Sequence, residues 1–145
     1  MTSTAHHTIH LLQHAGQRLG LIPTLGGSVA RWQRDTAQGA LDLWRPWDGV
    51  ADLYTTASFP LVPWSNRISH GGFTHDGVTH PMRPNRVGEP YPIHGDGWLQ
   101  PWAIRQPRLD TLEMALESRN FDGNPYHYRA LQRFVLREDG MDQLL

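Results

Sequence analysis

The sequence contains no cysteine, which excludes disulfides, thiolate catalysis and cysteine-ligated zinc. It contains no lysine either. All thirteen basic side chains are arginines, so Schiff-base chemistry and a phosphate-cradling lysine are excluded within this chain. Long apolar runs are also missing: no stretch approaches the ~20 residues of a membrane span. The segment from Met1 to Gly16 carries His6, His7, His10 and His14 but not the roughly 7–15 consecutive apolar residues of a secretory signal. A surplus of positive charge is absent as well. The formal net charge is −1, whereas a phosphate-binding surface needs a basic excess. These absences predict a soluble protein with no nucleic-acid and no membrane partner, and the lack of cysteine fits a cytoplasmic one.

Glycine and proline, by contrast, are plentiful. Fourteen glycines and eleven prolines make up about a sixth of the 145 residues, above the ~12% of ordinary proteins and below the ~25–30% of disordered ones. The length matches one ordinary domain, able to bury roughly 70% of its unfolded surface. The expectation is a folded, turn-rich chain.

Apolar residues recur at period two. Leu19, Leu21, Pro23 and Leu25 share one face, Gly26-Gly27 breaks the run, and Val29 and Trp32 resume it, a hairpin signal. In Gly72 to His80 the pair Asp76-Gly77 supplies the positive φ angles of a type I′ turn. That turn sets His75 against Val78, Thr74 against Thr79 and Phe73 against His80. Trp102 to Arg105 alternates. Leu112, Met114 and Leu116 share a face, and Tyr126, Tyr128, Ala130, Phe134 and Leu136 oppose His127, Arg129, Arg133 and Arg137, as strands require. Only Met141 to Leu145 reads as weakly helical. The pattern predicts an all-β protein, a sandwich or barrel of short strands.

The interval from Phe59 to Gly97 is crowded with proline, glycine and tryptophan, and long ordered loops are usually functional. Two of its segments combine the right chemistry. In Phe59-Pro-Leu-Val-Pro-Trp-Ser-Asn-Arg-Ile68, Asn66 and Arg67 stand side by side. Extended backbone would point them to opposite faces, one into a pocket and one fastening the loop, and the planar fork of Arg67 suits paired hydroxyls or carboxylates. In Tyr91-Pro-Ile-His-Gly-Asp-Gly-Trp-Leu-Gln-Pro-Trp102, Gly95 and Gly97 allow close backbone approach. Beside them His94, Asp96 and two tryptophans offer a donor, an acceptor and flat apolar faces, the mixture that suits sugars. The bland alternatives are a surface ion pair at Arg67 and a glycine turn over core tryptophans. His70, His75 and His80 recur every five residues, but no carboxylate is placed as a third ligand, so no metal site is expected.

On these residues the sequence resembles the aldose 1-epimerase (galactose mutarotase) family. The features are Ser65-Asn66-Arg67-Ile68, the Gly-Phe-Thr-x-Asp-Gly hairpin at 72–77, Pro92-Ile93-His94-Gly95 and its continuation Asp96-Gly97-Trp98…Pro101-Trp102, and Tyr128-x-Ala130-x-Gln132-x-Phe134. The resemblance implies an antiparallel β-sandwich of the galactose mutarotase-like supersandwich type. It also implies interconversion of the α and β anomers of a hexose by acid–base ring opening, without metal or organic cofactor. It places Arg67 and His94 at the sugar hydroxyls, His94 as the candidate catalytic residue of this chain. Asn66 supports the loop beside the substrate, and Asp96 and Trp98 are further substrate contacts. The family's principal acid, a second histidine, and its base, a late glutamate, have no match here, and Glu138 reads as a turn residue.

The expectation is therefore that 17–145 form the N-terminal part of one mutarotase-like domain, with 1–16 an N-terminal arm or first edge strand. An incomplete sandwich of this kind has little epimerase activity alone and an exposed sheet edge open to self-association. The alternative is a non-catalytic carbohydrate-binding or regulatory module.

Overall fold

The computed structural model describes residues 7–105 and 107–145; His6, one of the four N-terminal histidines, lies outside them. Ten strands form three antiparallel sheets among the described residues. The first is a meander of β1 (His10–His14), β2 (Gln17–Ile22), β3 (Ser28–Thr36) and β4 (Gly39–Trp44). A small hairpin joins β5 (Gly72–His75) to β6 (Val78–Pro81). The second large sheet has the order β10-β9-β8-β7, from β7 (Ala103–Ile104), β8 (Thr111–Arg119), β9 (His127–Leu136) and β10 (Met141–Leu144).

Alternation along the strands builds the core. Leu12, Leu19, Leu21 and Val29 from the first sheet meet Leu112, Met114, Leu116, Phe134 and Leu136 from the second, with Trp102 between them. Successive side chains of a strand point to opposite faces, so every second residue of β8 is buried, from Leu112 to Ser118. The β5–β6 hairpin has the predicted register, Phe73 opposite His80 and His75 opposite Val78. Asp76 (φ 49°) and Gly77 (φ 75°) are both left-handed, as a type I′ turn demands.

Gly26 and Gly27 do more than end a strand. Both have positive φ, and a Cβ on Gly26 would stand 2.4 Å from the Trp98 carbonyl oxygen, one on Gly27 2.8 Å from Gln132 Nε2. Their lack of side chains lets the β2–β3 loop lie directly on the second sheet. Gln132 Nε2 donates to the Gly27 carbonyl at 3.0 Å, and the Trp102 N–H to the Pro23 carbonyl at 2.9 Å.

The C-terminal segment differs from the expected short helix. Met141–Leu144 is a strand paired with β9, after a turn closed by the Arg137 N–H on the Gly140 carbonyl at 2.8 Å. Five residues are too few to nucleate an isolated helix, while pairing satisfies the backbone and packs Met141 on the core. His10–His14 likewise pair with β2, from His10 opposite Leu21 to His14 opposite Gln17. Among the described residues β4 and β10 each pair on one side only, and Leu41, Leu43 and Leu144 are exposed there. No described helix is long and apolar enough to cross a membrane.

Phe134 is fully buried between the sheets (0% exposed), whereas Leu41 is 53% exposed on β4. Phe134→Ala should lower unfolding free energy by about 3–5 kcal/mol in urea titrations, and Leu41→Ala by no more than about 0.5 kcal/mol.

Candidate functional site

The two segments singled out in the sequence lie against each other. The Asp96 and Gly97 N–H groups both donate to the Val62 carbonyl at 3.1 Å, the His94 N–H to the Asn66 carbonyl at 2.8 Å, and the Ile68 N–H to the Pro92 carbonyl at 3.1 Å. Gly95 sits where the backbones are closest. Its φ is 63°, and a Cβ there would lie 2.0 Å from the Val62 carbonyl oxygen, so no other residue fits. Asn85 secures the same stretch. Its amide donates to the carbonyls of Ile93 (2.8 Å) and Gly95 (2.7 Å), and its oxygen accepts from the Ile93 N–H at 2.9 Å.

This pairing gives His94 a defined hydrogen-bonding state. Its Nδ1 accepts from the Asn66 N–H at 3.1 Å, so the neutral ring carries its proton on Nε2. Partial burial, and then Arg67 and Arg86, push its pKa below the ordinary imidazole value, against an opposing effect of Glu89. The ring is therefore neutral at pH 7.

Asn66 and Arg67 do not point to opposite faces as extended backbone would require. Asn66 is left-handed, with φ 65°, which cancels the alternation and brings its Oδ1 to accept from Arg67 Nη1 at 3.3 Å. The rest of the Arg67 fork is engaged bidentately by Glu89, Nε to Oε2 at 2.7 Å and Nη2 to Oε1 at 2.9 Å. Arg67 holds the Glu89 carboxyl below the ordinary carboxylate value, and Glu89 raises the Arg67 pKa in return. Arg86 completes this polar group, with its guanidinium 4.4 Å from the centre of the Tyr54 ring.

Two of the expected contacts lie below this surface. Asp96 is 0% exposed. Its Oδ1 accepts from Tyr128 Oη (2.5 Å), Gln100 Nε2 (3.1 Å) and Ser118 Oγ (3.2 Å), and its Oδ2 from Asn124 Nδ2 (3.0 Å). Trp98, 8% exposed, donates Nε1–H to the Gly95 carbonyl at 3.1 Å and packs against Tyr54 and Phe59. Neither presents a face to solvent; the more exposed ring is Tyr54. The structure thus brings Asn66, Arg67 and His94 together at the surface, with Asp96 and Trp98 buried behind the 94–97 turn. Glu89, Asn85, Ser118 and Asn124 carry no sequence signal, because each acts across 8 to 28 residues with no characteristic spacing. His75 forms a pair with Asp76, both exposed, at 3.4 Å, and among the described residues no three potential metal ligands gather.

The aldose 1-epimerase family model matches residues 8–144. The chain belongs to the aldose 1-epimerase family. It is 33% identical over 132 residues to the Uncharacterized protein YphB of Escherichia coli (strain K12), covering 91% of this chain and 43% of that one. Among solved structures, an aldose 1-epimerase-like protein from Escherichia coli K12 superposes with a TM-score of 0.80 at 33% identity, covering 90% of this chain and 42% of that one. A galactose mutarotase-like protein from Clostridium acetobutylicum gives 0.73 at 19% identity, over 94% of this chain and 44% of the other. The GalM/aldose epimerase homologue from C. elegans gives 0.72 at 18%, over 90% and 42%. The antiparallel β architecture is that of the galactose mutarotase-like proteins. The chain spans less than half the length of these relatives.

Asn85 makes three hydrogen bonds to one short stretch of backbone. Asn85→Ala should cost about 1–3 kcal/mol in chemical denaturation and should speed hydrogen exchange at Ile93 more than at Met114 in the core.

Proposed function

We propose that this chain carries part of the sugar site of an aldose 1-epimerase and binds a free hexose through Arg67, His94 and Asn66. The observation that supports this most is the direct pairing of the 65–68 and 92–95 segments in a chain of this family. That pairing sets a neutral imidazole Nε2–H and the remaining guanidinium N–H groups on one surface. Both are donors suited to hydroxyl oxygens.

The reaction inverts the anomeric centre. A general base removes the proton of the anomeric hydroxyl while a general acid protonates the ring oxygen, the ring opens, and it closes on the other face of the aldehyde carbon. No metal or organic cofactor enters this chemistry. A positioned acid or base contributes typically 10²–10⁴-fold. No residue of this chain matches the family's principal acid or base, so the chain on its own is proposed to bind without appreciable turnover. A cytoplasmic setting fits the cysteine-free composition.

The edge of β10 that has no paired strand among the described residues supports self-association with a second copy. Beside it lies an apolar cavity of about 520 Å³ lined by Val62, Pro63, Tyr128, Leu131 and Leu144 among others. Such edges pair readily with another strand.

Isothermal titration with D-glucose or D-galactose should show binding that Arg67→Ala and His94→Ala abolish; no binding by the unaltered chain would refute the proposal. Polarimetry of fresh α-D-glucose should give a rate close to the protein-free control, and a rate well above it would show that the chain carries its own acid and base. Because only the neutral His94 ring accepts from Asn66, affinity should be constant above the ordinary imidazole value. It should fall with decreasing pH, with a midpoint below that value.

A further inference from the structure

Asp96 reads in the sequence as a sugar contact, yet its carboxylate is buried completely among protein donors. Four neutral donors converge on it, from the 3-10 turn at Gly97–Leu99 and its cap (Gln100), from β8 (Ser118), from the 121–124 turn (Asn124) and from β9 (Tyr128). Ser118 Oγ itself accepts from Gln100 Nε2 at 2.9 Å, which leaves its proton for Asp96. Burial, and then Asp96, raise the Tyr128 phenol well above its ordinary value, so it remains a donor. All four groups donate to Asp96 in this arrangement. A carboxylate accepts from all four, whereas an amide of the same shape has only one oxygen and would turn its NH₂ toward groups that now donate.

The consequence runs along the backbone to His94. With its side chain fixed from four directions, Asp96 commits its own N–H and that of Gly97 to the Val62 carbonyl. Gly95 is then held against Val62 with no room for a Cβ. His94, the next residue back, has both its N–H and its Nδ1 engaged by Asn66. A ring protonated at Nδ1 would set that proton against the Asn66 N–H, so the held turn admits one neutral tautomer. Its Nε2 has no protein partner among the described residues.

We propose that Asp96 is a positioning residue, whose buried carboxylate holds the 94–97 turn so that His94 meets the sugar as a neutral Nε2–H donor. For its ligand this rests on the carbohydrate reading above; the tautomer itself does not depend on it. His94 then acts on an acceptor oxygen of the sugar as a hydrogen-bond donor and not as a proton acceptor at Nδ1.

The test is ¹⁵N NMR of histidine-labelled protein, the His94 signals being assigned by their loss in His94→Gln. The unaltered chain should show one protonated nitrogen, Nε2, and one unprotonated, Nδ1. In Asp96→Asn the two shifts should move toward each other as the tautomers mix, and hexose affinity should weaken on the order of tenfold. Tyr128→Phe, which removes one donor of four, should move them the same way by less and decides the matter if Asp96→Asn does not fold. Leu136→Ala, destabilising but at the far end of β9 from Tyr128, should leave them unmoved. An Nδ1–H tautomer in the unaltered chain, or unmoved His94 shifts in a folded Asp96 or Tyr128 variant, overturns the proposal. A shift response as expected, with no hexose bound by the unaltered chain, would support the positioning role and refute the carbohydrate reading instead.

Discussion

Burying a carboxylate without a cation beside it is costly unless its oxygens are fully hydrogen-bonded, and Asp96 meets that condition only when four separate stretches of chain converge. Tyr128 and Ser118 must stand on neighbouring strands in the register that places them opposite each other. Asn124 must come round from the 121–124 turn, and Gln100 must leave the short helical turn at the right height. The requirement therefore links the second sheet to the irregular loops, which have no strand ladder of their own to fix them. Partly satisfied networks are worse than none, so the donors and the turn are expected to order together.

What the sequence discloses depends on the range of the force involved. Period-two alternation is local, and it reveals β2, β8 and β9 and the faces they bury. The Asp76-Gly77 turn is local too, and it fixes a register correctly. Strand β10 is short and its pairing is decided by β9 across the turn at Gly140, so its own residues do not announce it. β4 hides for another reason: Gly39 to Leu43 are exposed, and a strand without a buried face has little hydrophobic pattern to read. At the site, Asn66, Arg67 and His94 are visible as residue types in loops rich in proline and glycine. The left-handed turn at Asn66 is not, nor is the choice of Glu89 as partner 22 residues on, nor the burial that separates Asp96 from His94 two positions earlier.

Family membership and architecture agree with this local picture. The relatives are more than twice as long as the matched region. Among the described residues β4 and β10 pair on one side only, with exposed leucines on each. Meanwhile the core between the sheets is already closed around Phe134 and Met114. Core formation here thus rests on side-chain packing between the sheets and does not require a second partner strand for β4 or β10.

The Arg67–Glu89 fork carries a consequence for ligand charge. The guanidinium already faces an internal carboxylate through two short hydrogen bonds, so its field is largely cancelled at close range. An anionic group approaching it would have to displace Glu89 or stand beside a like charge. A neutral hydroxyl meets neither obstacle and needs only an N–H that Glu89 leaves free. Glu89 is in effect a resident competitor for anions, and the surface around Arg67 is tilted toward uncharged ligands.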